Sequence, residues 1–230
     1  MPNSERYVQI FRRRREGKTD YRKRRGVILG REPFLSVRVS GKYVYGQVLR
    51  ATATGDVTLC AASSRDLRGK FGWKGSPKSI PGAYLTGLYL GRLAQEKGLD
   101  DVVVYSGVNR FVHGSRIASL ISGAKEAGLN IEIDEESLPD EERIKGEHIA
   151  AYAKSLQESD KERYDRTFSG LVSSGLNPAE YASHFDQVRS AINGGKGSGA
   201  TVSRPSANKE KEKKKENSPA QKQKGNKSSA

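Results

Sequence analysis

The sequence has one cysteine, one tryptophan, three histidines and no long apolar run, and each shortage excludes something. With Cys60 alone there is no internal disulfide and no Cys-built metal site. Flanked by Leu59 and Ala61, it reads as a small buried core residue rather than a nucleophile. His113, His148 and His184 are widely separated and give zinc no cluster. Nothing approaches the roughly 18–20 apolar residues that cross a bilayer, and the N-terminus is too charged for a signal peptide. A secreted or membrane-spanning protein is excluded, and a reducing, cytoplasmic compartment is expected, with no metal or cofactor. Hydrophobic residues make up only 34% of the 230, so part of the chain is expected to contribute no core.

What is present in excess is positive charge, and it is unevenly placed. Lys and Arg number 41 against 27 Asp and Glu, for a net charge of +14. Residues 1–31 hold eleven basic and three acidic residues, residues 193–230 ten and three, and the body between is close to neutral. A neutral body with two cationic extensions suits a polyanionic partner along which the extensions lie.

Four segments follow: a basic N-terminal RNA-binding arm (1–31), an α/β body (32–139), a helical appendage (140–192) and a Lys-rich tail expected to be disordered (193–230). In the arm, Ser4 is a candidate cap for a short helix and Gly17 its stop; Thr19 or Asp20 caps a second helix to about Leu29. Phe34–Val39, Tyr43–Leu49 and Val57–Ala61, separated by Ser40-Gly41 and Thr54-Gly55-Asp56, predict a three-stranded antiparallel meander. Residues 64–79 read as a loop and 80–97 as a helix. Residues 101–105 read as a strand covered on both faces, and Ile117, Leu120, Ile121 and Ala124 mark a further helix. Ile131–Ile133 completes the order as a last strand. The fold class is therefore mixed α/β, a meander followed by helix, strand, helix, strand. Beyond it, helices are expected around Ile149–Leu156, at about 160–173, and at 178–192 after Asn177-Pro178.

Candidate RNA contacts are the arm residues Arg12, Arg13, Arg14, Arg15, Lys18, Tyr21, Arg22, Lys23, Arg24 and Arg25, because guanidinium forks match phosphate oxygens. Tyr7, Phe11 and Tyr21 could stack on unpaired bases or anchor the arm to the body. The long loop adds Arg68, Lys70, Trp73, Lys74 and Lys78, a basic and aromatic mixture suited to RNA. The loop before the third helix adds Arg110 and Arg116. Gly17-Lys18-Thr19 is not a nucleotide-binding loop, since Arg12 stands where its first glycine belongs. The acidic run from Glu132 to Glu147 crowds one connection rather than converging in a cleft, which suits a face turned from the polyanion or a protein-binding edge. A metal-dependent nuclease would have only Asp66 and Asp101 to use. A general basic RNA chaperone is the other alternative.

The run Arg12-Arg13-Arg14-Arg15-Glu16-Gly17-Lys18-Thr19-Asp20-Tyr21-Arg22-Lys23-Arg24 resembles the N-terminal signature of the universal large-subunit ribosomal proteins that bind 5S rRNA. Ser63-Ser64-Arg65-Asp66-Leu67, Gly72-Trp73-Lys74, Ala83-Tyr84-Leu85-Thr86-Gly87-Leu88 and Gly114-Ser115-Arg116 continue the series. So do Gly123-Ala124-Lys125-Glu126-Ala127-Gly128-Leu129, Gly146-Glu147-His148-Ile149-Ala150 and His184-Phe185. The segment after the body resembles the archaeal branch. The resemblance implies a structural ribosomal protein, not an enzyme, with a ribonuclease-H-like layout and no nuclease site or small-molecule substrate. It implies that 5S rRNA is fastened to the large-subunit rRNA in the central protuberance, beside a second 5S-binding protein. It also implies RNA contact by Arg12–Arg15, Lys18, Tyr21, Arg22, Lys23, Arg24, Trp73 and Lys74.

Overall fold

A computed structural model describes residues 8–52 and 54–195; Ser4, Tyr7 and the tail from residue 196 lie outside these. The four arginines have nothing apolar among them to bury, so they form a single exposed turn, α1 (Arg12–Arg15), ended by Gly17 at φ +63°. Residues 8–11 are not helical, so the first helix is shorter than a Ser4-capped one. Helix α2 (Tyr21–Gly30) starts where Asp20 Oδ1 accepts the N–H groups of Arg22 (3.0 Å) and Lys23 (3.3 Å).

Strands β1 (Phe34–Val39), β2 (Val44–Thr52) and β3 (Gly55–Ser63) pair consecutively and antiparallel. The short β4 (Val103–Tyr105) joins parallel to β1, giving the order β3-β2-β1-β4. Two expectations fail here. Ile131–Ile133 is no strand: only a parallel bridge from Asp101 to Asn130 forms, while Ile131 is buried and Ile133 packs beside it. Their apolar alternation records burial rather than pairing. Residues 101–105 are also not covered on both faces, since Val103 is 44% exposed.

Residues 64–70, read as loop, form helix α3 (Ser64–Lys70). Ser63 accepts the N–H of Arg65, Asp66 Oδ2 accepts the N–H of Ser63, and Leu67 is wholly buried. This is a capping box whose Ser-x-x-Asp signal stands in the sequence.

Alternation places Leu35, Val37, Val44, Val48 and Ala62 on the sheet face covered by α4 (Ile80–Gln95) and α5 (Arg116–Glu126). Helix α4 begins at Ser79, whose Oγ accepts the Gly82 N–H at 3.2 Å, with Pro81 in its first turn where no backbone donor is needed. Helices α4 and α5 approach backbone to backbone. A Cβ on Gly87 would run into the Leu120 carbonyl, and one on Gly123 into the Tyr84 carbonyl.

The other side of α4 builds a second core. Tyr84, Leu85 and Leu88 pack with Leu67, Trp73, Ile144, Tyr181, Phe185 and Val188. Helix α9 (Tyr181–Asn193), from the segment read as an appendage, is therefore part of the packing around α4. Helices α6 (Glu141–Lys145), α7 (Glu147–Ser159) and α8 (Lys161–Ser173) lie between, and α7 and α8 share a small core of Ala153, Leu156 and Phe168.

Adding one methyl at Gly87 or Gly123 should destabilise the protein by about 3 kcal/mol, the upper end of overpacking costs. Gly170→Ala in α8, where a Cβ meets nothing within 4 Å, should leave stability unchanged or raise it. Thermal melting of the three variants checks this, and equal melting temperatures for Gly87→Ala and Gly170→Ala would contradict it.

Candidate nucleic-acid interface

No residue of α1 or α2 is fully buried, but the arm's cations are not equivalent. Arg12 Nε and Lys18 Nζ both reach Glu16, at 2.8 and 2.7 Å, and together they hold the Glu16 carboxyl below its ordinary range. Arg13 Nε donates to Thr19 Oγ1 (2.8 Å), and the Lys18 N–H to the Arg13 carbonyl (2.8 Å). These contacts fold the α1–α2 turn.

Arg24 is the arm's anchor. Its guanidinium pairs with Asp56 in the β2–β3 hairpin, stands 5.3 Å from the Phe34 ring centroid and 6.0 Å from that of Tyr105, and leaves only 18% of the side chain exposed. Lys23 Nζ donates to the Gly107 carbonyl at 3.5 Å on the same side. Arg24, expected as an RNA contact, is thus mostly occupied by the body. Nothing local in the sequence ties Phe34, Asp56 or Tyr105 to residue 24.

Arg14, Arg15, Arg22 and Arg25 remain. Among the described residues they make no side-chain hydrogen bond or ion pair to the protein. Arg14, Arg22 and Arg25 line one open cleft of about 450 Å³ with Thr19, Asp20 and Tyr21.

The loop residues divide differently. Trp73, expected to meet RNA, is fully buried. Its ring stacks on His184 (5.2 Å, 11° between planes) and meets Tyr181 edge-on. The Lys74 N–H donates to His184 Nε2 (3.1 Å), its Nζ to the Gly175 carbonyl (3.2 Å), and its carbonyl accepts from Ser174 Oγ (3.0 Å). Gly72-Trp73-Lys74 and His184-Phe185, two pieces of the motif series, are therefore one clasp joining the loop to α9. Nothing in the local Gly72-Trp73-Lys74 sequence hints at this, because the partner lies more than a hundred residues away. Lys70 Nζ donates to Tyr89 Oη at 2.6 Å, and Arg116 Nε to the Lys78 carbonyl at 2.6 Å. Arg68 and Arg110 are exposed.

Asp66 and Asp101 do not converge. Strands β1, β3 and β4 run in one direction, so Asp66 follows the carboxyl end of β3 while Asp101 precedes the amino end of β4, at the opposite edge. Asp66 is held in its capping box, and Asp101 accepts from Asn130 Nδ2 at 2.8 Å. Two carboxylates at opposite ends of a sheet cannot share a metal ion. Burial also pushes the Cys60 thiol above its ordinary range, which suits an unreactive core residue.

Residues 5–105 match the family model described as ribosomal large subunit proteins 60S L5 and 50S L18. Large ribosomal subunit protein uL18 of Caldivirga maquilingensis is 45% identical over 192 residues, covering 84% of this chain and 93% of its own length. The uL18 of Thermofilum pendens is 41% identical, covering 84% of this chain and 97% of its own. The chain belongs to the uL18 family. In this uL18-family chain the α4–α5 glycines, the α3 capping box and the Trp73–His184 clasp, all within the motif series, serve packing.

Arg22→Gln or Arg25→Gln should lower the slope of log affinity for RNA against log salt by roughly 0.7–0.9 each, the loss of one phosphate contact. Arg24→Gln should weaken binding with the slope unchanged; a slope change equal to that of Arg22→Gln would contradict the anchor role.

Burial first, then the Lys74 ammonium, hold His184 below its ordinary range, and burial with Arg143 does the same for His148. Both imidazoles are neutral when folded and gain a proton on unfolding below about pH 6.5, so their contribution is complete above that pH and lost as pH falls beneath it. Melting temperature should fall between about pH 7 and 5.5, and less steeply in His184→Gln. A flat wild-type profile would contradict this.

Proposed function

We propose that this chain binds 5S rRNA through its N-terminal arm and fastens it to the large-subunit rRNA in the central protuberance. As a uL18-family member it is a structural constituent of the large ribosomal subunit, working in the cytoplasm on the ribosome. The observation that carries the RNA reading is the group of four arginines, Arg14, Arg15, Arg22 and Arg25, exposed and without internal partners among the described residues. Guanidiniums left unpaired in this way repel one another until phosphates neutralise them. Arg68 and Arg110 are further exposed cations, on the body.

A second 5S-binding ribosomal protein beside this one belongs to the reading, and the exposed acidic run from Glu132 to Glu147 suits a protein-facing edge rather than an RNA-facing one. The sheet order β3-β2-β1-β4, with a parallel bridge to Asn130 on the outer side of β4, supports a ribonuclease-H-like layout. Its role here is to hold rather than to react.

The test is competition binding of the full chain to 5S rRNA against tRNA across a salt series. Affinity for 5S rRNA should exceed that for tRNA and fall about a thousandfold between roughly 50 and 200 mM salt. Deleting residues 1–25 should abolish binding. Equal affinity for tRNA would favour the RNA-chaperone alternative, and full affinity without the arm would contradict the proposal.

A further inference from the structure

The cleft between α1 and α2 has features that a surface for duplex backbone does not need. It is concave, and its volume of about 450 Å³ falls in the roughly 300–1,000 Å³ range of small-ligand sites. A duplex presents convex phosphate ridges with its bases stacked inside. The cleft also has an aromatic wall: Tyr21 lines it while remaining 38% exposed, and Phe11 supports the ring at 5.8 Å between centroids. Three guanidiniums surround that wall, those of Arg14, Arg22 and Arg25, without an internal partner among the described residues. The floor is braced by Arg13–Thr19 and by the Asp20 cap, so the cleft is shaped before any ligand arrives. Asp20 Oδ1 is engaged by helix N–H groups, and its second oxygen accepts no hydrogen bond among the described residues.

We propose that this cleft takes one unpaired nucleotide of the bound RNA, its base against the Tyr21 ring and its phosphates among Arg14, Arg22 and Arg25. Unpaired bases are recognised by stacking on aromatic and guanidinium planes, whereas an aromatic ring offers a paired stem little. The proposal rests on the RNA-binding reading above and adds to it the form of nucleic acid that this part of the arm recognises.

The test compares the full chain with its Tyr21→Phe and Tyr21→Leu variants on three probes: 5S rRNA, labelled hexauridylate and a blunt RNA duplex. Leucine keeps the bulk beside Phe11 and removes the ring; phenylalanine keeps the ring. Tyr21→Leu should lose at least about fivefold on 5S rRNA and hexauridylate, as expected for one stacked base, with duplex binding and salt slope unchanged. Tyr21→Phe should match wild type. The proposal is overturned if Tyr21→Leu binds hexauridylate and 5S rRNA like wild type, or if it loses duplex binding to the same degree. Either result leaves the 5S reading standing, because that reading fails separately, through a wild-type chain with no preference for 5S rRNA over tRNA.

Discussion

The structure depends on the backbone contact between α4 and α5. Gly87 and Gly123 let each helix lie against a carbonyl of the other, a spacing that even alanine would prevent. With α5 drawn in this closely, one side of α4 reaches the sheet through Ala83, Leu90 and Ala94. Its other side is left for Tyr84, Leu85 and Leu88 to receive α3, Trp73 and α9. One helix thereby serves two cores, and a chain with few hydrophobic residues gains a rigid centre from a short apolar segment.

From that centre the distribution of cations acquires meaning. Several cations on or near the body are used in construction. Arg24 sits against Phe34, Tyr105 and Asp56, Lys74 holds the turn before α9, Arg116 caps the Lys78 carbonyl, and Lys70 crosses the Tyr89 ring. Arg14, Arg15, Arg22 and Arg25 of α1 and α2 have no side-chain partner among the described residues. The anchor fixes the direction of the arm, and the unpartnered arginines are what it presents. Preorganising the cations reduces the ordering cost of binding.

The antiparallel strands and the helices at α4, α5 and α7–α9 were legible because their apolar periodicities and turn residues are local. Residues 131–133 misled because burial against a helix and pairing in a sheet leave the same alternation. The segment 64–79 reads as loop because its glycines and lysines lack helical apolar periodicity, while α3 is set by the Ser63–Asp66 cap. At the interface, the exposed arginines could be nominated from charge alone. Which of them are free could not: Arg24 and Asp56 meet only after the sheet forms, and Trp73 meets His184 only after α9 folds back. Composition identifies basic and aromatic residues without saying whether they face RNA or each other.

Amide hydrogen exchange of the full chain, with and without 5S rRNA, tests the central claim most directly, since it reports on arm and scaffold together. New protection confined to residues 12–31, with α4 slow to exchange in both states, is the predicted result. Unchanged exchange in the arm, with protection appearing instead along Glu132–Glu147, would contradict it.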